Sequence, residues 1–321
     1  MIEFICVLIE KMDKPQNKIL IALAFFAIYV IWGSTYLLNK IAVTELPAFM
    51  LASTRFIVSS FLIFGIAKIL KIPIRITRKQ FFNTAIAGFL FLTFGNGLVV
   101  WTLKYIDSGF AALEISAQPL VILVLMRILQ GKKNQAMSMI GAALGMLGVF
   151  LLVNQNHIIT NENSSLSIGL IFLCMISWAY ASLFVGTADL PSNYFVNTGY
   201  QMLTGGIMLA MVSFLLDETW LSPVQWSESV LWSMFLLIVF GSIVAFTSFN
   251  YLLKVVSPEK VATSTYVNPI IALLLGWYLL DEQITLQSII AAIILFTGVY
   301  FINTKKKLVI YFRFKNRRQK F

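Results

Sequence analysis

The stretch SVLWSMFLLIVFGSIVAFTSFNYLLK, residues 229–254, carries no charged side chain before its last position. A helix that crosses roughly 30 Å of hydrocarbon at 1.5 Å per residue needs about 20 mostly apolar residues, and this stretch exceeds that length. The same reading, carried outward in both directions, finds ten such runs: 19–38, 47–70, 81–101, 109–130, 136–153, 166–186, 193–216, 229–254, 261–280 and 285–302. Most links between them are short, as packed antiparallel helices require. Composition agrees: of 321 residues, 59% are hydrophobic and 12% charged, about half the charge of an ordinary soluble domain. That polar surface is too small to face water around so large an apolar mass, which excludes a soluble globular enzyme and a disordered chain. The expected fold class is all-α: a polytopic membrane protein with ten transmembrane helices.

The net charge of +10 is a topology signal. With the N-terminus placed in the cytoplasm, 21 of the 24 Lys and Arg residues fall on the cytoplasmic side. They cluster in the N-terminal segment, in the second, fourth and eighth links, and in the tail; Lys40 and Lys104 fall outside. This bias predicts a multi-pass cell-membrane protein with both termini cytoplasmic, as ten spans require. The basic tail 304–321 then reads as a contact for anionic lipid headgroups, not for nucleic acid. The apolar stretch 4–9 is too short to span and is flanked by Glu3 and Glu10, so it makes a poor signal peptide. Met12, followed by Asp13-Lys14-Pro15, looks like a more natural start, which makes residues 1–11 an expected upstream extension within a 1–17 N-terminal segment.

The chain also repeats itself. Phe94-Gly95 matches Phe240-Gly241, and the apolar residues after each end in Leu103-Lys104 and Leu253-Lys254. From there an offset of 150 pairs Ala112 with Ala262, Pro119 with Pro269, and Gly148-Val149 with Gly298-Val299. The expected halves are 18–153 and 166–303, joined by an external linker at 154–165. Five spans is an odd number, so the second half enters the membrane upside down. Inverted repeats let a site between them face each side in turn, which favours a secondary transporter.

Several motifs carry a family resemblance. They are Ile31-Trp32-Gly33-Ser34-Thr35-Tyr36, Thr54-Arg55-Phe56, the block SPEKVATSTYVNP at 257–269, and its continuation LLGWYLLDE at 274–282. Together they resemble the EamA family of the drug/metabolite transporter superfamily, across nearly the whole chain outside the two tails. The resemblance implies a ten-helix carrier, with many such proteins exporting amino acids, metabolites or toxic compounds. The acidic residue expected after the fourth helix is present as Glu282 in the second half but is Lys132 in the first.

Charge inside hydrocarbon is costly, about 2.5–3.5 kcal/mol on insertion scales, so each instance calls for a reason. Arg55 sits about 12 Å along its helix and Glu114 about 7.5 Å, both counted from the same side. They could therefore pair. Glu114 reads as a proton carrier, as a partner for a cationic group, or as the structural partner of Arg55; Arg55, which holds its proton, reads first as structural. Pro119 and Pro269 are expected to interrupt the fourth helix of each half and free carbonyls near the bilayer centre. Beside them stand Gln118 and, in the other half, Tyr266 and Asn268, which with Glu114 are expected to belong to the substrate-binding site. Trp32 and Trp178 hold comparable positions in the two halves. With Tyr36, Tyr180 and Asn96 they are expected to line a substrate cavity of aromatic faces and a few polar groups.

Other chemistry is poorly supplied. Cys6 and Cys174 read as small apolar residues, and His157 has no cluster of metal ligands beside it, so no metal or cofactor is expected. Catalytic triads, HExxH and phosphate loops are absent. Gly141, Gly145 and Gly148 form a small-residue face read first as intramolecular packing and second as a dimer surface. The functional expectation is a transporter, an exporter in particular, of a small organic solute with possible proton coupling. The alternative is an intramembrane lipid-handling protein or an enzyme without a recognised motif.

Overall fold

The computed structural model describes residues 18–106, 108–131, 135–153, 163–280 and 286–303. The expected extension 1–17 with Cys6, the linker residues 154–162 with His157, Lys132, Glu282 and the tail 304–321 lie outside the described residues. The described residues form helices joined by turns and short links. In chain order they are α1 (Lys18–Val43), α2 (Ala48–Ile69), α3 (Arg78–Thr102), α4 (Ser108–Ile115), α5 (Gln118–Gln130) and α6 (Ala136–Val153). Then follow α7 (Ser164–Thr187), α8 (Tyr194–Leu215), α9 (Glu228–Val255), α10 (Pro258–Val261), α11 (Ser264–Leu280) and α12 (Leu286–Asn303). Among the described residues, six of these, α1 to α3 and α7 to α9, are long and apolar enough to cross a membrane.

The predicted spans therefore recur with shifted ends, and one of them is not continuous. The fourth breaks at Ser116–Ala117 into α4 and α5; the ninth starts later than expected, at Ser264, because a turn at Ala262–Thr263 separates α11 from the short helix α10. Pro119 accordingly stands in the first turn of α5, where its missing N–H costs nothing, while Pro269 lies inside α11. The two prolines match in sequence but not in structural role.

The apolar surface faces outward. Phe61, Ile69, Phe214, Leu215 and Ile293 are exposed, whereas the interior buries Ser53, Ser59, Ser60, Thr198, Gln201 and Asn250. That distribution suits lipid, which gives apolar side chains no reason to leave the surface and lets small residues bring helices together. Ser53 donates to the Gly206 carbonyl (3.0 Å) and Ser60 to that of Gly199 (2.9 Å), so two seven-residue steps tie α2 to α8. Asn250 donates to Thr198 (3.1 Å) and Gln201 (3.1 Å), and Gln201 to Asn197 (3.2 Å), a buried chain of polar groups linking α9 to α8.

Helix pairing is reciprocal between the halves. The second spans, α2 and α8, pack on each other, and so do the fifth, α6 and α12. The first span α1 packs on α9 and α11 of the second half; its counterpart α7 packs on α3 and on α4 and α5 of the first. The small-residue face of α6 is consumed within the chain. A Cβ on Gly141 would stand 2.6 Å from the Gly298 carbonyl, and one on Gly298 would stand 2.7 Å from that of Gly141.

Two carboxylates complete the exchange at one end of the bundle. Glu218, in the link before α9, accepts from the backbone N–H groups of Phe49 (3.2 Å) and Met50 (2.8 Å), at the start of α2. Glu45, in the link before α2, accepts from the N–H (3.2 Å) and Oγ (2.6 Å) of Ser227, the N-cap of α9. Each half thus caps a helix of the other with a negative charge at its positive end.

Because a methyl at Gly141 meets backbone, Gly141→Ala is expected to destabilise by about 1–3 kcal/mol. A Cβ at Gly65 in α2 meets nothing within 4 Å, so Gly65→Ala is expected to be neutral or stabilising by up to about 1 kcal/mol. Thermal unfolding of both variants in the same detergent checks the contrast.

Candidate functional site

Irregular backbone gathers in the middle of the molecule. Segments of π-helix occur at Ala27–Ile31 in α1, Phe89–Gly97 in α3 and Leu237–Phe246 in α9. An i→i+5 turn is wider than an α turn and re-aims the side chains around it. Trp32 follows the first segment, Gly95 and Asn96 lie in the second, and Gly241 and Ser242 in the third. The helix breaks at 116–117 and 262–263 complete the set.

These irregularities surround a cavity of about 100 Å³. From α1 it is lined by Trp32, Thr35, Tyr36 and Asn39, which fall on one face at helical spacing. From α2 come Arg55 and Phe56, and from α3 Leu92, Gly95, Asn96 and Val99. Ile115 and Gln118 line it from either side of the first break; Ala262, Ser264, Thr265 and Asn268 do so at the second. Cys174, Met175 and Trp178 of α7, and Phe246 and Phe249 of α9, close the wall. Both halves contribute.

An aromatic cluster forms one wall. Trp32 and Trp178, the matched pair, meet edge to face with ring centroids 5.8 Å apart. Phe249 lies 5.0 Å from Trp32 and 5.6 Å from Trp178, and Phe91 lies 4.9 Å from Trp178. The Trp32 indole N–H donates to the Gly241 carbonyl (3.2 Å), which fixes its ring.

Polar groups fall into two kinds. Some are committed: Gln118 donates to the Met175 carbonyl (3.0 Å), and Tyr36 shares a hydrogen bond with Asn268. The Asn268 amide nitrogen donates to the carbonyls of Ser264 (3.0 Å) and Tyr29 (3.2 Å), joining α11 to α1. Others have atoms buried without a protein partner: Asn39 Oδ1, Asn96 Oδ1 and Arg55 Nη1. The Arg55 side chain is 3% exposed; its Nε donates to Ser242 Oγ (2.8 Å), and its Cζ lies 4.9 Å from the Phe56 ring centroid.

Four sequence expectations change here. Arg55 and Glu114 do not pair; the ion pair among the described residues is Lys79–Asp189 at 3.8 Å, near the surface. Glu114 is half-buried outside the cavity lining, on α4 within electrostatic reach of Cys174, and its Oε2 is buried without a partner. Tyr180 is 46% exposed, pointing away from the cavity, because it sits two residues beyond Trp178 on the same helix. Tyr266 is fully buried among Ile270, Ala291, Leu295 and Ile302, with its ring against Gly145. Trp32, Tyr36, Asn96, Gln118, Trp178 and Asn268 are brought together around the cavity, with Arg55. Asn39, Thr35, Ser264 and Thr265 were missing from the sequence-based set; the spacing of Thr35 and Asn39 from Trp32 was the available signal. Among the described residues, no three His, Cys, Asp or Glu side chains group as metal ligands.

A helical, multi-pass protein whose halves enclose a partly polar cavity has the architecture of a membrane transporter. The chain is a member of the EamA-like transporter family, whose profile matches residues 19–154 and 165–304. It is 32% identical to the uncharacterized inner membrane transporter YedA of Escherichia coli, over 88% of this chain and 92% of that protein. The uncharacterized transporter YoaV of Bacillus subtilis is 19% identical, over 88% and 96% of the two chains. One solved crystal structure shares the fold, with a TM-score of 0.72 at 16% identity, covering 88% of this chain and 96% of the other. The protein is therefore a multi-pass cell-membrane transporter and not an enzyme.

Asn268→Ala would unlink α11 from α1 beside the cavity, and solute flux in proteoliposomes is expected to fall about tenfold, the loss of one to two hydrogen bonds. Tyr180→Ala, on the outer face, is expected to leave flux within about twofold at matched protein density.

Proposed function

We propose that the protein is a secondary transporter that exports a small organic solute by alternating access, with both termini in the cytoplasm. The observation that carries this reading is the composition of the cavity wall, to which both halves contribute and where the matched tryptophans Trp32 and Trp178 touch. Two like units of opposite orientation can exchange conformations, and a site on the seam between them then changes the side to which it opens. Reciprocal packing of α2 on α8 and of α6 on α12 supplies the surfaces across which the halves would move. The positive-charge bias supports the orientation.

Glu114 supports a coupling role for protons. It is an acidic side chain inside a predicted span, it lies two residues before the break at 116–117, and one carboxyl oxygen is buried without a partner. A carboxyl group so placed can carry a proton and bias the broken helix next to it.

Counterflow in proteoliposomes tests the carrier reading: an excess of internal solute should accelerate uptake of labelled solute, saturably, with the solute chemically unchanged. A linear, non-saturating flux would overturn it. In the same vesicles Glu114→Gln is expected to abolish the response of flux to a pH gradient. Wild-type flux at every pH in that variant would remove the proton role.

A further inference from the structure

Among the described residues, Arg55 is the one charged side chain in the cavity wall, and no carboxylate shares that wall with it. Its surroundings hold it in place without neutralising it. Nε is occupied by the Ser242 hydroxyl, the Phe56 ring covers its side, and Nη1 is left buried with no protein partner. Gly241 makes room for the head: a Cβ there would stand 3.1 Å from Nη2. The π-helical turn of α9 sets Gly241 and Ser242 side by side against the guanidinium, so the donor fork is both packed and oriented. A structural arginine in a membrane protein normally pairs with a carboxylate or spends its donors on backbone carbonyls. This one does neither at Nη1.

A buried, unneutralised guanidinium with free N–H groups matches the geometry of a carboxylate, which it can bind through two parallel hydrogen bonds. It also repels cations in a low-dielectric cavity. We propose that Arg55 is the anion-recognising residue of the transport site and that the solute carries a carboxylate, with its apolar part against Trp32 and Trp178. Asn39 Oδ1 and Asn96 Oδ1, the other unpartnered atoms in the wall, accept from N–H or O–H groups elsewhere on the solute. This assignment rests on the transporter reading above, and deepens it by setting the solute's charge class: organic anions and zwitterions are accepted, and organic cations are rejected.

The test uses the full chain and a matched set of probes, phenylacetate, phenylacetamide and phenethylamine, which share a body and differ in charge. Purified protein is followed by thermal unfolding with each probe, and proteoliposomes by flux of each. Phenylacetate is expected to raise the Tm and to be moved at least tenfold faster than the amide or the amine, the scale of a hydrogen bond to a charged group. Arg55→Gln should reduce that preference to about one. Ser242→Ala, which keeps the charge but frees Nε, should reduce it severalfold and serves where Arg55→Gln does not fold. Carboxylate-selective binding without flux would retain the anion site and remove the transport reading. Flux of all three probes at similar rates would keep transport and overturn the Arg55 assignment. The assignment also falls if phenylacetate is neither bound nor moved in preference, or if its preference survives both substitutions.

Discussion

A chain crossing hydrocarbon has to satisfy its own backbone, because no water is present to accept or donate a hydrogen bond. That constraint makes the described part of this protein helical, and it also singles out the places where the helix fails. The breaks at 116–117 and 262–263 and the three π segments would leave backbone groups unmatched on a lipid-facing surface. All of them instead flank one cavity. At the second break, Thr263 and Thr265 turn their hydroxyls onto the carbonyls of Lys260 (2.6 Å) and Ala262 (2.8 Å), and Tyr29 joins Thr263 at 2.7 Å. At the first, short-range bonds such as Ala117 N–H to the Glu114 carbonyl (3.1 Å) stand in for the regular ladder. Irregular backbone is thus confined to where protein side chains can reach it.

The same constraint explains the interior. Burying apolar surface drives little when the solvent is itself apolar, so cohesion comes from close packing and from hydrogen bonds. Gly141 against Gly298, Ser53 and Ser60 against α8, and the Asn197–Gln201–Asn250 chain supply both. The glycine and serine contacts run between the halves, and the Asn197–Gln201–Asn250 chain ties α8 to α9 within the second half. Glu45 and Glu218 follow the same logic at the ends of α9 and α2, each half capping the other.

Much of the cavity wall was legible in the residues. Trp32 and Trp178 stood at matching places in the repeat, and Asn268 belonged to the longest motif of the chain. Tyr36, Asn96 and Gln118 also reached the cavity. What failed was direction. Tyr180 and Trp178 are two residues apart, and on a helix that separation places them on different faces. Tyr266 precedes Asn268 by two and is turned into the packing around α12 for the same reason. The pairing of Arg55 with Glu114 rested on both lying in the same half of the membrane, and depth says nothing about rotation around a helix axis.

The sequence by itself determined the solvent, the number of spans, the repeat and the scarcity of charge within the bilayer. Those follow from composition and period, which are properties of a chain read along its length. Only the tertiary structure decided that the fourth span is broken, that a turn at 262–263 sets off α11, and that Pro119 and Pro269 play different parts. It alone placed Arg55 in the wall of the cavity with Ser242 on its Nε and Glu114 outside that wall. The physical reason is that a π turn or a two-residue break rotates every side chain that follows it. Which face a residue presents is therefore set by hydrogen bonds between helices distant in sequence.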